Sequence, residues 1–282
     1  MSVRRPAVAG FFYPAGPSAL LRSLKEAFIR AGYAEIPRAS ESGPRSIRGA
    51  MCPHAGYVYS GHVAAAAYAK MAEDGVPDVF VLVGPNHTGL GEAISVYPEG
   101  SWETPLGRVP VDSELAAEIQ EGCPLARFDQ LAHLKEHSLE VQLPFIQAVF
   151  GEVKIVPIAM LDQSPGAATS LGSAIASACS SLGRDCVVIA SSDMSHYEPA
   201  EVAERKDRRA LEAIISMDVE ALYEAISALN ISMCGYGPAA AMLVASRLMG
   251  AERAELLTYT HSGEATGDYS AVVGYASVVV RA

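Results

Sequence analysis

Four runs of apolar, mostly β-branched residues limit what this chain can fold into: "VFVLVG" at 79–84, "KIVPIAML" at 154–161, "CVVIASS" at 186–192 and "YASVVV" at 275–280. A strand with one wet face alternates apolar and polar residues. Continuous apolar runs belong instead to strands covered on both faces. Helical segments lie between several of them. "SALLRSLKEAFIRAG" (18–32) carries apolar residues at three- and four-residue spacing and ends at glycine. "GHVAAAAYAKMAEDG" (61–75) is rich in alanine, the best helix former, and ends the same way. Further helices are expected over 113–122, 166–183, 201–217 and 237–250. Strands alternating with helices specify an α/β fold in three layers, a central, mostly parallel or mixed sheet with helices on both faces. The ending, "LLTYTHSGE" followed by "YSAVVGYASVVV", reads as a late strand pair, which argues for the mixed form.

The chain is long enough to bury one large core: 282 residues, half of them hydrophobic and 19% charged. Its only linker-like stretch, "PRASESGPRS" at 37–46, reads as a surface loop, and there is no tandem repeat. With 21 basic and 32 acidic residues the net charge is −11, a surface that repels nucleic acid phosphates and anionic lipid. No apolar run approaches the roughly 20 residues that span a bilayer. Five cysteines at 52, 123, 179, 186 and 234, with no C-x-x-C pair, do not form a disulfide framework and fit a reducing cytoplasm. The start "MSVRRPAVAGFFYPAGP" has twin arginines, but its apolar run stops at Tyr13–Pro14, too short for a signal core.

Chemistry-bearing residues follow the strand-like runs. His54 stands in "MCPHAGYVYSG", His87 in "VFVLVGPNHTG", and Asp193 and His196 in "VVIASSDMSHYE". In open α/β sheets ligands bind beyond the carboxyl ends of the strands. All four are therefore expected in one crevice rather than scattered as turn caps. Two imidazoles suit a divalent metal and need a third ligand. Asp193 is one candidate. Cys234, in the glycine-rich turn "ISMCGYGP" ahead of a helix, is another, because a helix N-terminus favours thiolate. Asp193 and His196 are close enough in sequence for the carboxylate to orient the imidazole as a proton-transfer group. "HLKEHSLEVQLPF" (133–145) matches the H-x-x-E-H pattern of inverted zinc peptidases. Pro144, only seven residues after His137, argues against the long helix that pattern requires. "GPNHTGLGE" has neither nucleotide-loop spacing, and "HSGEATG" lacks a nucleophile elbow.

Six stretches in order along the chain, "VRRPAVAGFFYP", "PHAGYVYSG", "VGPNHTG", "EHSLEVQLPF", "SSDMSHY" and "CGYGP", resemble the Memo-like family. The resemblance covers essentially the whole chain and implies one Memo-like domain over 1–282. It also implies a fold similar to the class III extradiol dioxygenases, which hold non-haem iron between two histidines and a carboxylate. Carried onto this sequence, the histidine ligands fall on His54 and His87, and Cys234 takes the carboxylate position. Asp193 and His196 fall in the acid/base region, with His137 lining the same pocket. The implied cofactor is a divalent metal ion, iron foremost, with copper or zinc as alternatives. The implied function is a cytoplasmic, dioxygenase-like redox protein. The alternative is a non-catalytic metal-carrying or peptide-binding module on the same fold. Either would take a small molecule or peptide in the metal crevice, and prokaryotic members imply a functional link to a radical SAM protein.

Overall fold

In the computed structural model, which describes residues 2–282, the four apolar runs are strands of one sheet. In chain order the elements are β1 (Val3–Arg4), α1 (Pro17–Arg30), β2 (Ile47–Cys52), α2 (Tyr57–Asp74), β3 (Val79–Pro85), β4 (Ile94–Val96), β5 (Ser101–Thr104), β6 (Gly107–Pro110), α3 (Ser113–Gly122), β7 (Ala126–Phe128), α4 (Leu143–Phe150), β8 (Lys154–Met160), α5 (Pro165–Ser181), β9 (Cys186–Ser191), β10 (His196–Glu198), α6 (Ala200–Ile215), α7 (Val219–Leu229), α8 (Tyr236–Leu248), β11 (Arg253–His261), α9 (Gly263–Thr266) and β12 (Val272–Arg281). The main sheet runs β10-β12-β2-β9-β3-β8-β4-β7, and β11 pairs with β12. Strands β2, β9, β3 and β8 are mutually parallel. β12 is antiparallel to both β2 and β11, so the sheet is mixed, as the late strand pair implied. β1, β5 and β6 form a separate small sheet.

Successive side chains on a strand point to opposite faces. Here both faces are dry. Val79, Val81 and Val83 of β3 join one hydrophobic cluster while Phe80 and Leu82 join the other. Val188 and Ala190 of β9 go with the first, Val187 and Ile189 with the second. Residues of α3, α5, α6 and α8 complete the first cluster, and residues of α1, α2 and α4 complete the second. This double burial is why the strand sequences do not alternate.

Helix starts follow local capping chemistry. The Asp112, Ser164 and Asp218 side chains accept from Leu115 N, Ala167 N and Ala221 N, at the starts of α3, α5 and α7. Helix α7, absent from the sequence reading, separates from α6 because Met217 takes a left-handed φ of 56° between them. α2 begins at Tyr57, earlier than the alanine-rich segment suggested, directly after the turn that carries His54.

Parallel strands share a direction, so the residues following β2, β3 and β9 emerge at one end of the sheet. The turn before α8 arrives at the same place. Its Gly235 packs so closely that an added Cβ would lie 2.5 Å from the backbone oxygen of Ser191. Backbone cannot move aside as a side-chain tip can. Gly235→Ala is therefore expected to destabilise the fold by about 1–3 kcal/mol, measured by urea denaturation against the parent chain.

Candidate metal centre

His54, His87 and His137 converge at that end of the sheet. One ring nitrogen from each lies within 4.8 Å of one from the other two. Ring centroids are 5.3 Å apart for His54–His87 and for His54–His137, and 4.7 Å for His87–His137. His54 is buried, His137 half-buried and His87 exposed, so the cluster has a dry floor and an open rim. Burial first, then neighbouring His137 and His87, holds His54 well below the usual imidazole pKa. Neutral imidazole is the form that binds metal.

Strand ends and one carboxylate set these positions. His54 follows β2, and its backbone N–H donates to Asp193 Oδ1 at 2.8 Å, tying the turn after β2 to the turn after β9. His87 follows β3 and is held by Glu136. His87 N donates to Glu136 Oε2 at 2.6 Å, and its Nδ1 lies 2.9 Å from Glu136 Oε1. His137 N and Ser138 N also donate to Glu136 Oε1, at 3.0 and 2.9 Å. Glu136 has no exposed surface. Burial alone would raise its pKa, but the hydrogen bond and charge of His87, with the Ser138 N–H and His137, outweigh it and bring the carboxyl down to about 2. An ionised carboxylate only accepts, so His87 carries its proton on Nδ1 and leaves Nε2 free.

The loop bearing Glu136 and His137 is anchored from the chain's start. Arg4 and Glu140 form a buried ion pair. Arg4 also donates to the backbone oxygens of His133 (3.0 Å) and Glu136 (2.6 Å) and lies over the Trp102 ring. Glu140 accepts from Ala7 N, Val8 N and the Tyr13 hydroxyl. This is the structural content of "VRRPAVAGFFYP". Removing one partner of a buried pair costs about 3–5 kcal/mol, so the segment is clamped to the site loop. Phe12 packs on the outer side of His137, with centroids 4.7 Å apart.

Cys234 and Asp193 stand beside His54. Cys234 Sγ is 3.2 Å from His54 Nε2 and accepts from Asp193 N at 3.3 Å. Asp193 Oδ2 is 4.0 Å from the same Nε2. The helix start does not make Cys234 a thiolate as expected: burial, and after it the Asp193 charge, raise the thiol pKa, and burial raises Asp193 likewise. The sulfur thus reaches His54, while His137, expected in a catalytic role in the same pocket, completes the three-imidazole cluster.

His196 departs from expectation in one respect. Its Nδ1 lies 2.9 Å from Ser232 O, and its N–H donates to Ser232 Oγ at 2.7 Å. A carbonyl only accepts, so Ser232, not Asp193, fixes the imidazole with its proton on Nδ1. The Asp193 carboxylate is turned to the His54 turn instead. His133 stays outside the cluster: its Nε2 lies 3.0 Å from Ser95 O in the interior, and burial takes its pKa down to about 4. The H-x-x-E-H stretch is no ligand-bearing helix. It has 3-10 turns at Leu131–His133 and Glu140–Gln142, and α4 begins at Leu143. Within it Glu136 orients His87, a role that the sequence pattern hid behind the peptidase reading.

The sequence pattern of the Memo-like protein family matches residues 4–279. The chain belongs to the Memo-like family. It is 48% identical to a MEMO1 family protein of Methanothermobacter thermautotrophicus, over 97% of this chain and 99% of that protein. It is 46% identical to one of Methanopyrus kandleri, over 99% of each. A Thermotoga petrophila relative is 44% identical over 98% of this chain and 99% of its own. Among the described residues no helix is long and apolar enough to cross a membrane.

Glu136→Gln keeps the size of the side chain but sets an amide N–H against backbone and ring donors. It is expected to destabilise the protein by about 1–3 kcal/mol and to weaken zinc binding about 10- to 100-fold. Thermal unfolding and competitive titration against a chromophoric chelator read the two effects separately.

Proposed function

We propose that this Memo-like protein is a metal-dependent redox protein of dioxygenase-like type, with its metal held at the strand ends. The observation that carries the reading is the convergence of three imidazoles, with Cys234 and Asp193 beside them, where β2, β3 and β9 end. Structural zinc sites close all four positions with protein ligands, whereas catalytic sites keep one open. His54, His87 and His137 could hold a divalent ion between them. In this reading His54 and His87 are ligands, and Cys234, 3.2 Å from His54 Nε2, takes the third position with His137 beside it. His137, Asp193 and His196 line the approach. A bound ion, iron foremost, would supply Lewis acidity and a redox couple to a small molecule entering from the His87 side. His196 holds its proton on Nδ1 against Ser232 O, which leaves Nε2 to take or give a proton at the ligand. Buried Asp193 keeps the His54 turn fixed beneath it.

Anaerobic metal titration of four variants tests the ligand set. His54→Ala and His87→Ala are expected to abolish tight binding. Cys234→Ser should weaken it and shift preference away from soft ions, and Cys234→Glu should recover iron(II) by rebuilding two histidines and a carboxylate. Identical metal preference and affinity in Cys234→Ser would remove Cys234 from the set and leave His137 as third ligand. Oxygen consumption by the iron-loaded protein with reductant separates an enzyme from a metal carrier: a loaded protein that consumes none is the carrier. His196→Gln should keep its metal and lose turnover.

A further inference from the structure

We propose that Ser191 is a positioning residue that holds His54 as the Nδ1–H tautomer and so reserves the Nε2 lone pair for a metal ion; the second half of this rests on the metal-site reading above. The assignment comes from counting donors and acceptors in a buried chain of side chains behind His54. Tyr68, Gln142, Ser191, Ser138 and His54 are all at most 2% exposed. Gln142 Nε2 lies 3.0 Å from Pro53 O, and a carbonyl only accepts, so the amide nitrogen faces that side. Gln142 Oε1 then accepts from the Tyr68 hydroxyl at 2.9 Å, which agrees with that orientation. The same Nε2 donates its other proton to Ser191 Oγ at 2.9 Å. Ser191 has one hydroxyl proton, and Oγ lies 2.6 Å from Ser138 O, another pure acceptor, so the proton goes there. The remaining contact of Ser191 Oγ is His54 Nδ1 at 2.9 Å. With its one proton used, Oγ accepts, and His54 Nδ1 is the donor.

The consequence falls on the opposite ring nitrogen. A neutral imidazole protonated on Nδ1 is unprotonated on Nε2, which is the atom facing Cys234 Sγ at 3.2 Å. His87 reaches the same tautomer through the Glu136 carboxylate, so the two rings present matching nitrogens by different means. A hydroxyl with its own proton committed is a neutral acceptor. It fixes the ring without adding a charge beneath it, whereas Glu136 adds a full one.

Correlation of ring nitrogens with carbon-bound ring protons in 15N-histidine-labelled, metal-free protein reads the tautomer directly. The His54 signals are identified by their loss in His54→Gln. The expected result is Nδ1–H in the parent chain. Ser191→Ala should move His54 toward Nε2–H, donating to Cys234 Sγ, and lower zinc affinity about 10- to 100-fold. Ser191→Thr, which keeps the hydroxyl, should preserve both tautomer and affinity. Nε2–H in the parent, or unchanged tautomer and zinc affinity in Ser191→Ala, would overturn the proposal. If Ser191→Ala does not fold, the parent and Ser191→Thr tautomers decide it. A parent chain with His54 protonated on Nδ1 that binds no zinc would sink the metal-site reading while leaving the Ser191 assignment supported.

Discussion

The buried carboxylate of Glu136 is the interaction on which the site depends. It accepts from His87 N, His87 Nδ1, His137 N and Ser138 N. Hydrogen bonds to a charged group contribute about 1.5–3 kcal/mol each, and together they keep the group ionised without exposed surface. Two consequences follow from one side chain. The turn after β3 is pinned to the loop before α4, and the His87 ring is held by its Nδ1–H, which leaves Nε2 unprotonated. Desolvation is offset only while all the donors stay in place. The loop is therefore fixed in turn by Arg4 and Glu140, and an N-terminal segment far away in sequence becomes part of the site's support.

The sheet supplies the other half. β2, β9 and β3 are adjacent and parallel, so His54, Asp193 and His87 leave from neighbouring strand ends before any side-chain chemistry acts. Close approach of backbone then matters as much as side chains. Gly84 at the end of β3 faces Ser138 and Leu139 so tightly that an added Cβ would sit 2.7 Å from Ser138 Oγ. A bulkier residue there would push away the loop that carries Glu136. Cys234 depends in the same way on Gly235.

Much of this was legible in the sequence, and the reasons are physical. Continuous apolar runs alternating with helical segments point to strands buried on both faces, so the three layers and the strand-end crevice followed from β3, β8, β9, β12 and the helices between them. His87 and Asp193 were legible because each comes directly after such a run, and His54 because its turn sits between a short strand-like segment and an alanine-rich helix. His137 belongs to the pocket by resemblance, with a catalytic rather than a ligand role, since it sits on an irregular loop where no periodicity places a side chain. Glu136 was seen within H-x-x-E-H, but a pattern borrowed from helices says nothing about a loop between two 3-10 turns. The orientation of His196 by the Ser232 carbonyl was out of reach: backbone acceptors carry no residue signature. Arg4, Glu140 and Ser191 act through contacts spanning 136, 136 and 137 positions in sequence, to Glu140, Arg4 and His54, a separation that local reading cannot bridge.

Anomalous diffraction from crystals grown with iron(II) under anaerobic conditions tests the central claim most directly. The account predicts one strong peak at the end of the sheet, within bonding distance of Nε2 of both His54 and His87, with Cys234 Sγ as the third protein ligand. A peak elsewhere, or one at this site that touches only one of the two histidines, would contradict it.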